Sequence, residues 1–184
     1  MITMANRYPR LDAKLIDFIE RQKIFFVATA ARNGKVNVSP KGLDTLRVLD
    51  DTRLIWLNLT GSGNETAAQL IDCRRMTLMF CSFDQDPLIL RVYGEAETLH
   101  LRDAAWSALI GYFPSFPGAR QIFDMHIELV QTSCGFAVPM FDFTGERNTL
   151  ETWSNNKGDA GIRQYWSEKN RSSIDGNATG IFED

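Results

Sequence analysis

The sequence has 184 residues, a length typical of a single domain. Hydrophobic residues make up 44% of the chain and aromatic residues 11%, which excludes a disordered chain, while 23% charged residues exclude a membrane-embedded one. The 20 Lys and Arg residues against 23 Asp and Glu residues give a net charge of −3, so the chain lacks the positive field that nucleic-acid binding requires. We therefore predict a globular protein whose partners are neither nucleic acids nor membranes.

Three cysteines, Cys73, Cys81 and Cys134, lie in apolar stretches and form no C-x-x-C pair. This usage is typical of a reducing compartment and predicts free, buried thiols. The first eight residues contain no apolar run after their positive charge, so we predict neither a secretory signal nor a lipid anchor. These features together predict a cytoplasmic protein.

In chain order, residues 11–22 place apolar side chains at helical spacing and predict an amphipathic opening helix. Two antiparallel strands follow over residues 24–30 and 35–39, and Asn33-Gly34 predicts a two-residue hairpin turn between them. Alternating or β-branched runs predict further strands over residues 53–59, 76–83, 87–101 and 125–138. Helices are predicted over residues 65–72, 103–113, 149–155 and 162–169.

These helices are interspersed among the strands and do not alternate with them, which argues against a doubly wound parallel sheet. Gly94 lies where the long strand over residues 87–101 can bend. The pattern therefore favours an α+β fold, a small antiparallel barrel with helices at its rim. We predict one domain over residues 1–184, in which residues 171–184 form a polar tail.

The sharpest local motif is Thr60-Gly61-Ser62-Gly63-Asn64-Glu65-Thr66, between a predicted strand and a predicted helix. Glycines let backbone N–H groups approach an anion, and the first turn of a helix offers unpaired donors and a favourable dipole. The motif therefore predicts a phosphate site. Ser62 and Glu65 also match a capping box, so the alternative is a well-capped helix without a ligand. The motif matches neither a Walker A loop nor a dinucleotide fingerprint.

A second motif, Asn37-Val38-Ser39-Pro40-Lys41-Gly42, ends the second predicted strand with a hydroxyl, a cation and a glycine. The alternative is an ordinary strand end with a solvated lysine. We expect this strand and the strand over residues 53–59 to be neighbours in a meander, which places Lys41 close to residues 61–66. One anion would then gain both a charged partner and backbone donors.

Other chemistries find less support in the sequence. His100 and His126 are the two histidines, and neither lies in a metal-binding motif, so we predict no metal site. Ser62 does not lie in a nucleophile elbow, and no catalytic residue is identified. Trp153, Tyr165 and Trp166 lie late in the chain, where they cover either a core edge or a planar ligand.

The motifs have the order of a known family. Residues 26–30, 37–42 and 56–66 resemble the pyridoxamine 5'-phosphate oxidase-like family of FMN-binding split barrels. Residues 91–96, 131–135 and 173–176 look like the branch described only as related to that oxidase. The resemblance spans nearly the whole chain, and it implies a six-stranded antiparallel split β-barrel that forms a homodimer with two FMN molecules in clefts between the subunits.

By the resemblance, the segment after the second strand and the start of the next helix hold the ribityl phosphate. The residues implied are Ser39, Pro40, Lys41, Gly42, Gly63, Asn64 and Thr66. Leu57 and Asn58 would run beside the flavin ring, and Gln69 falls where the oxidases have a glutamine. The oxidases carry a basic residue near the position of Thr66, so the resemblance implies either that an arginine such as Arg75 or Arg91 supplies the charge or that FMN is held less tightly.

The chain departs from the oxidases at its C-terminus, where residues 165–171 and a polar tail replace the strand that grips pyridoxamine phosphate. Trp166, Lys169 and Asn170, or else Trp153, are predicted to approach the flavin of the other subunit. The resemblance thus implies an FMN-dependent oxidoreductase acting on a small molecule that the sequence does not name. Two alternatives stay open: a flavin-storage or sensing module without turnover, and a haem-handling protein with His100 or His126 as axial ligand.

Overall fold

The computed structural model describes residues 5–182. The predictions for the first eight residues and for the tail 171–184 extend to residues 1–4 and 183–184, which lie outside the described residues. The elements are β1 (Ala5–Tyr8), α1 (Ala13–Arg21), β2 (Phe25–Thr29), β3 (Asn37–Lys41), β4 (Leu46–Asp50), β5 (Arg53–Leu59), α2 (Glu65–Asp72), β6 (Arg75–Cys81), β7 (Ile89–His100), α3 (Ala104–Leu109), β8 (Ala119–Ser133) and α4 (Thr149–Lys169). A 3₁₀ turn, Ile110–Tyr112, extends α3. The α+β class predicted from the sequence is confirmed.

The strands form one antiparallel sheet in the order β3-β2-β6-β7-β8-β5-β4, with β1 also paired to β8. The expected six-stranded barrel is therefore wrong in two respects: within residues 5–182 there are eight strands, and β3 and β4 at the two ends of the sheet are not paired to close it. The two extra strands, β1 and β4, are short, and the residues of β4 are half-buried without alternation, so they carry little sequence signal.

Although the sheet does not close, it curls around one core. The rings of Phe25 on β2 and Trp56 on β5 lie 6.3 Å apart, although three strands separate β2 from β5 in the sheet. Phe25 also stacks on Phe80 at 6.0 Å, and Trp56 stacks on Phe123 at 4.4 Å. Helix α1 covers this core with Leu15, Phe18 and Ile19, and the Asp12 carboxylate caps its first turn by accepting from the Leu15 N–H at 2.9 Å. The curl brings β3 close to the end of β5.

Three local predictions are corrected. The predicted two-residue hairpin is wrong because seven residues, 30–36, connect β2 to β3; Gly34 does adopt a positive φ of 101°, and the Asp175 carboxylate packs directly on it. The two predicted C-terminal helices are the two parts of α4, which kinks at Gly158. The three cysteines are free as predicted, but only Cys81 is buried. No helix within residues 5–182 is long and apolar enough to cross a membrane.

Candidate functional site

The loop between β5 and α2 is held by the chain around it. The Thr60 backbone N–H and its hydroxyl both donate to the Gly118 carbonyl, at 2.9 and 2.7 Å. The N-cap of α2 is Asn64, whose side chain makes no capping hydrogen bond. The capping-box alternative is therefore wrong, because Glu65 instead accepts from the Ile174 N–H at 3.0 Å. The first turn of α2 thus keeps backbone donors that its N-cap side chain does not engage.

A cavity of about 280 Å³, here called the loop cavity, lies where this loop meets β3. Its walls are Asn37, Ser39, Lys41, Asn58, Leu59, residues 61–66 and Arg120. The expected approach of Lys41 to the glycine loop is thus confirmed, but the reason given for it is wrong. Strands β3 and β5 are not neighbours, and the curl of the sheet brings them together.

The loop cavity is positively charged. Arg120 is only 2% exposed, and its Nη1 donates to the Gly63 carbonyl at 3.0 Å and to the Asn170 side-chain oxygen at 2.7 Å. Within residues 5–182, neither Lys41 nor Arg120 forms an ion pair. Glu65 is the one carboxylate among the residues lining this cavity, and the Ile174 N–H already engages it.

The pKa values of these two cations show the cost of holding them there. Burial lowers the pKa of Lys41 to about 8, with a further contribution from the nearby charge of Arg120. Burial likewise lowers the pKa of Arg120 to about 10. At pH 7 both groups still carry a proton, so two positive charges share one small cavity. A bound anion would offset that repulsion and the loss of hydration.

A second and larger cavity of about 880 Å³ adjoins the loop cavity, since Lys41 lines both. We call it the aromatic cavity because Phe83, Phe141 and Phe143 form part of its wall; the Phe83 and Phe141 ring centres are 5.6 Å apart. Of the predicted phosphate residues, Ser39, Lys41, Gly63, Asn64 and Thr66 line the loop cavity, as does Asn58, while Pro40 and Gly42 line the aromatic cavity. The two cavities thus adjoin at Lys41, and the wall of the aromatic cavity also carries charged residues, among them Lys23, Asp84 and Arg147.

Residues 11–134, more than half of the chain, match the family model described as pyridoxamine 5'-phosphate oxidase. The chain belongs to the pyridoxamine 5'-phosphate oxidase family. The resemblance inferred from the motifs is therefore confirmed.

Similar proteins agree with this membership. The pyridoxamine 5'-phosphate oxidase family protein ustO of Aspergillus flavus is 38% identical over 149 residues, which are 78% of this chain and 60% of that protein. The chain thus spans less than two thirds of that relative's length. A Lactobacillus delbrueckii structure whose name refers to pyridoxamine 5'-phosphate oxidase matches at a TM-score of 0.56, with 23% identity over 70% of this chain and 98% of that one. A histidine-to-alanine variant of HupZ from Group A Streptococcus matches at a TM-score of 0.52, with 22% identity over 65% of this chain and 96% of that one. At these identities the two structures show a shared fold.

Leu57 and Gln69, which the family resemblance implied, lie outside both cavities. Leu57 is buried in a second hydrophobic cluster with Ile55 and Ile122. Gln69 uses both halves of its amide inside the protein: its oxygen accepts from the Thr29 hydroxyl at 2.7 Å, and its nitrogen donates to the Lys35 carbonyl at 2.8 Å. Gln69 thus ties α2 to β2 and to the connection that follows β2.

The C-terminal residues predicted to reach another subunit mostly lie against their own chain. Trp166 is buried, and its indole N–H donates to the Thr60 hydroxyl at 2.8 Å. Asn170 is completely buried beside the glycine loop, and Trp153 packs edge-on against Tyr165 at 5.0 Å. Lys169 is exposed and lines neither cavity. The approach of any of these residues to the flavin of a second subunit stays a prediction.

Arg120 is the functional candidate that the sequence did not reveal. The resemblance suggested Arg75 or Arg91 as the missing cation, but Arg75 donates to the Cys73 sulfur and Arg91 to the Ser133 hydroxyl, and neither lines the loop cavity. The predicted strand began at Met125, six residues after β8 begins, so Arg120 fell outside every predicted element. Its position just before the apolar pair Ile122 and Phe123 is the available signal.

The two histidines lie away from the site. His100 is buried with its Nδ1 unpartnered, and burial lowers its pKa. His126 is exposed on the sheet, near Arg53 and Glu95. Neither histidine lines the loop cavity or the aromatic cavity. Neither histidine therefore belongs to the group of residues around Lys41 and Arg120.

Proposed function

We propose that this chain is an FMN-binding flavoprotein whose loop cavity holds the phosphate of the cofactor. The observation that carries the proposal is that Lys41 and Arg120 line the same cavity and that, among residues 5–182, no carboxylate forms an ion pair with either of them. The start of α2 lines the same cavity with backbone donors that its N-cap side chain leaves open. Membership in the pyridoxamine 5'-phosphate oxidase family supports a flavin as the source of this phosphate.

The residues present fit such a cofactor. Arg120 Nε and Asn64 Oδ1 are buried without a hydrogen-bond partner, one a donor and the other an acceptor. A phosphate oxygen suits the first, and a hydroxyl of a polyol chain suits the second. Ser39 and Thr66 add hydroxyls to the same wall. Beyond Lys41, the side chains of Phe83, Phe141 and Phe143 in the aromatic cavity offer an apolar surface for a planar ring.

We propose further that the protein is an oxidoreductase for a small molecule. A bound flavin supplies two-electron transfer, and the protein supplies position and electrostatics. Lys41 has the central role, because it lines both cavities and carries a proton whose pKa of about 8 is near neutrality. The chain's own contribution is therefore to hold the phosphate, to screen the ring from water with the three phenylalanines and to keep a positive charge where the two cavities meet.

We also propose a homodimer. Segment 134–148 connects β8 to α4, and four of its apolar side chains are more than half exposed: Phe136, Met140, Phe141 and Phe143. Exposed apolar side chains clustered on one segment are typical of an interface. A second copy covering this segment would also close the aromatic cavity. Light scattering of the purified protein should give twice the chain mass, and a monomer at micromolar concentration would contradict the proposal.

The cofactor is tested first by release. The purified protein is denatured, and the molecular mass of the released chromophore is measured by mass spectrometry. The mass distinguishes FMN from FAD and from haem, so the measurement also tests the haem-handling alternative. Protein purified without a chromophore is titrated with FMN and with riboflavin, and we expect clearly tighter binding of FMN. Lys41→Ala should weaken FMN binding by about tenfold or more. The control is Lys14→Ala, which removes an exposed lysine from α1.

Turnover is tested on the FMN-loaded protein. Anaerobic addition of NADH, NADPH or candidate substrates should bleach the flavin absorbance, and air should restore it. Absence of bleaching with every donor would favour the storage or sensing alternative and leave FMN binding intact. Equal affinities for FMN and riboflavin would instead contradict the proposed phosphate site.

A further inference from the structure

Asn170, at the C-terminus of α4, contacts both Arg120 and the glycine loop in the wall of the loop cavity. Its side-chain oxygen accepts from Arg120 Nη1 at 2.7 Å, and its side-chain nitrogen donates to the Gly61 carbonyl at 3.1 Å. The residue is completely buried, 50 positions away from Arg120 in the sequence. One amide thus holds the guanidinium and the glycine loop in a single arrangement.

The chemistry of an amide matters at this position. Asn170 is neutral, so it orients Arg120 without cancelling its charge, whereas a carboxylate there would form an internal ion pair. The Gly61 and Gly63 carbonyls accept from Asn170 and Arg120, respectively. Both carbonyl dipoles are therefore matched by donors inside the protein, which reduces their repulsion of an anion.

The backbone of Asn170 is anchored on several sides. Its N–H donates to the Trp166 carbonyl at 2.9 Å, and its carbonyl accepts from the Thr179 hydroxyl at 2.6 Å. The Asn64 side-chain nitrogen reaches the same carbonyl at 3.4 Å. Thr179 is 1% exposed, so the segment after α4 is packed against the site. These contacts fix where the Asn170 amide lies.

We propose that Asn170 is a positioning residue that aims Arg120 into the loop cavity and so determines the preference for a phosphorylated flavin over riboflavin. The proposal rests on the proposed function, because it assumes that the anion in this cavity is the phosphate of FMN. It assigns the C-terminal segment a role within its own subunit. Asn170 itself need not touch the phosphate, since it acts through Arg120.

The test compares Asn170→Asp with Asn156→Asp. Both replace an amide by a carboxylate in or next to α4 and change the net charge equally, but Asn156 is exposed. Asn170→Asp should weaken FMN binding about tenfold and riboflavin binding less than about twofold, because the new carboxylate neutralises Arg120. Asn156→Asp should leave both affinities within about twofold of wild type. An unchanged FMN-to-riboflavin ratio in Asn170→Asp would overturn the proposal.

A double-mutant cycle separates positioning from general stability. If Asn170 acts through Arg120, then Asn170→Ser lowers the ratio of FMN affinity to riboflavin affinity when Arg120 is present. The same substitution does not lower this ratio in an Arg120→Gln background. If Asn170→Ser lowered this affinity ratio equally in both backgrounds, the proposal would be overturned. Thr179→Val leaves Asn170 in place and removes the shorter of the two hydrogen bonds to its carbonyl, so it provides the same comparison if the Asn170 variants do not fold. If wild-type protein does not prefer FMN, the proposed function fails; if wild type prefers FMN and the variants keep that preference, this inference alone fails.

Discussion

The Lys41 ammonium lies 5.4 Å from the centre of the Trp56 ring. Trp56 is fully buried and stacks on Phe123, so the ring is part of the main core. Attraction between a cation and an aromatic face is worth less than an ion pair with a carboxylate in the same surroundings. Lys41 is therefore held at the cavity by the core while its charge stays available to a ligand.

This arrangement predicts opposite effects of Lys41→Met on stability and binding. Lowering the pKa of Lys41 from 10.5 to about 8 corresponds to a cost of roughly 3 kcal/mol at neutral pH. Replacing the ammonium by a thioether should raise the unfolding free energy of the ligand-free protein by about 1–3 kcal/mol. The same change should weaken FMN binding about tenfold. Urea unfolding and FMN titration measure the two quantities.

The control for this prediction is Lys14→Met, which changes an exposed lysine on α1. It should alter the unfolding free energy by no more than about 0.5 kcal/mol and leave FMN binding unchanged. A loss of stability in Lys41→Met, or wild-type FMN affinity in that variant, would contradict the role given to Lys41.

The affinity for FMN should depend on pH through Lys41. The protonated ammonium attracts the phosphate, so FMN binding raises the pKa of Lys41 above its value of about 8 in the ligand-free protein. Affinity is therefore fully present below pH 8 and falls as the pH rises from about 8 to 9, by up to about tenfold per unit. The phosphate itself keeps its charge over this range, because its second pKa is about 6.

Fluorescence titrations between about pH 7 and 9 measure this dependence. In Lys41→Met, which has no group to titrate at that position, the affinity should be lower but nearly constant across the range. An equally steep decrease in the variant would show that another group causes it.

Several strands could be predicted because their patterns are long and strong. The sequence predicts β5, β6 and β7 within about two residues of their ends and α2 at its observed limits. The sequence predicts neither β1 nor β4, since β1 has only four residues and β4 is half-buried without alternation. The packing of Phe25 on Trp56, which shows the curl, joins residues whose approach depends on strand order, and periodicity carries no information about strand order.

The candidate site was predictable in its pieces. The glycine loop and Lys41 have recognisable local chemistry, so the sequence identified both. Arg120 was not identified because its polar partners are the Gly63 carbonyl and Asn170, and the second of these is 50 residues away. A buried charge satisfied by distant neutral groups leaves no local pattern.

The segment after α4 should depend on Asp175. Its carboxylate accepts from the Lys35 backbone N–H at 2.8 Å and pairs with the Lys35 ammonium at 2.8 Å, which raises the pKa of Lys35 and lowers the pKa of Asp175. Asp175→Ala removes both contacts, so the Lys35 amide should exchange its hydrogen faster, as measured by hydrogen exchange and mass spectrometry. Asp159→Ala, at an exposed position of α4, is the control and should leave this exchange rate unchanged. Unchanged exchange in Asp175→Ala would mean that this segment is held by other contacts.

Gly94 should be among the least replaceable residues of the sheet. It was predicted to mark a bend, and the register between β7 and β8 shifts between Tyr93 and Gly94. A Cβ atom at Gly94 would overlap the His126 carbonyl oxygen, which is backbone and cannot rotate away. Gly94→Ala should therefore lower the unfolding free energy by more than about 3 kcal/mol.

Gly111→Ala is the matched control, because nothing lies within 4 Å of a Cβ there, and its effect should stay within about 1 kcal/mol. Urea unfolding of both variants measures the difference, and equal stabilities would show that β7 and β8 can separate at this point without cost.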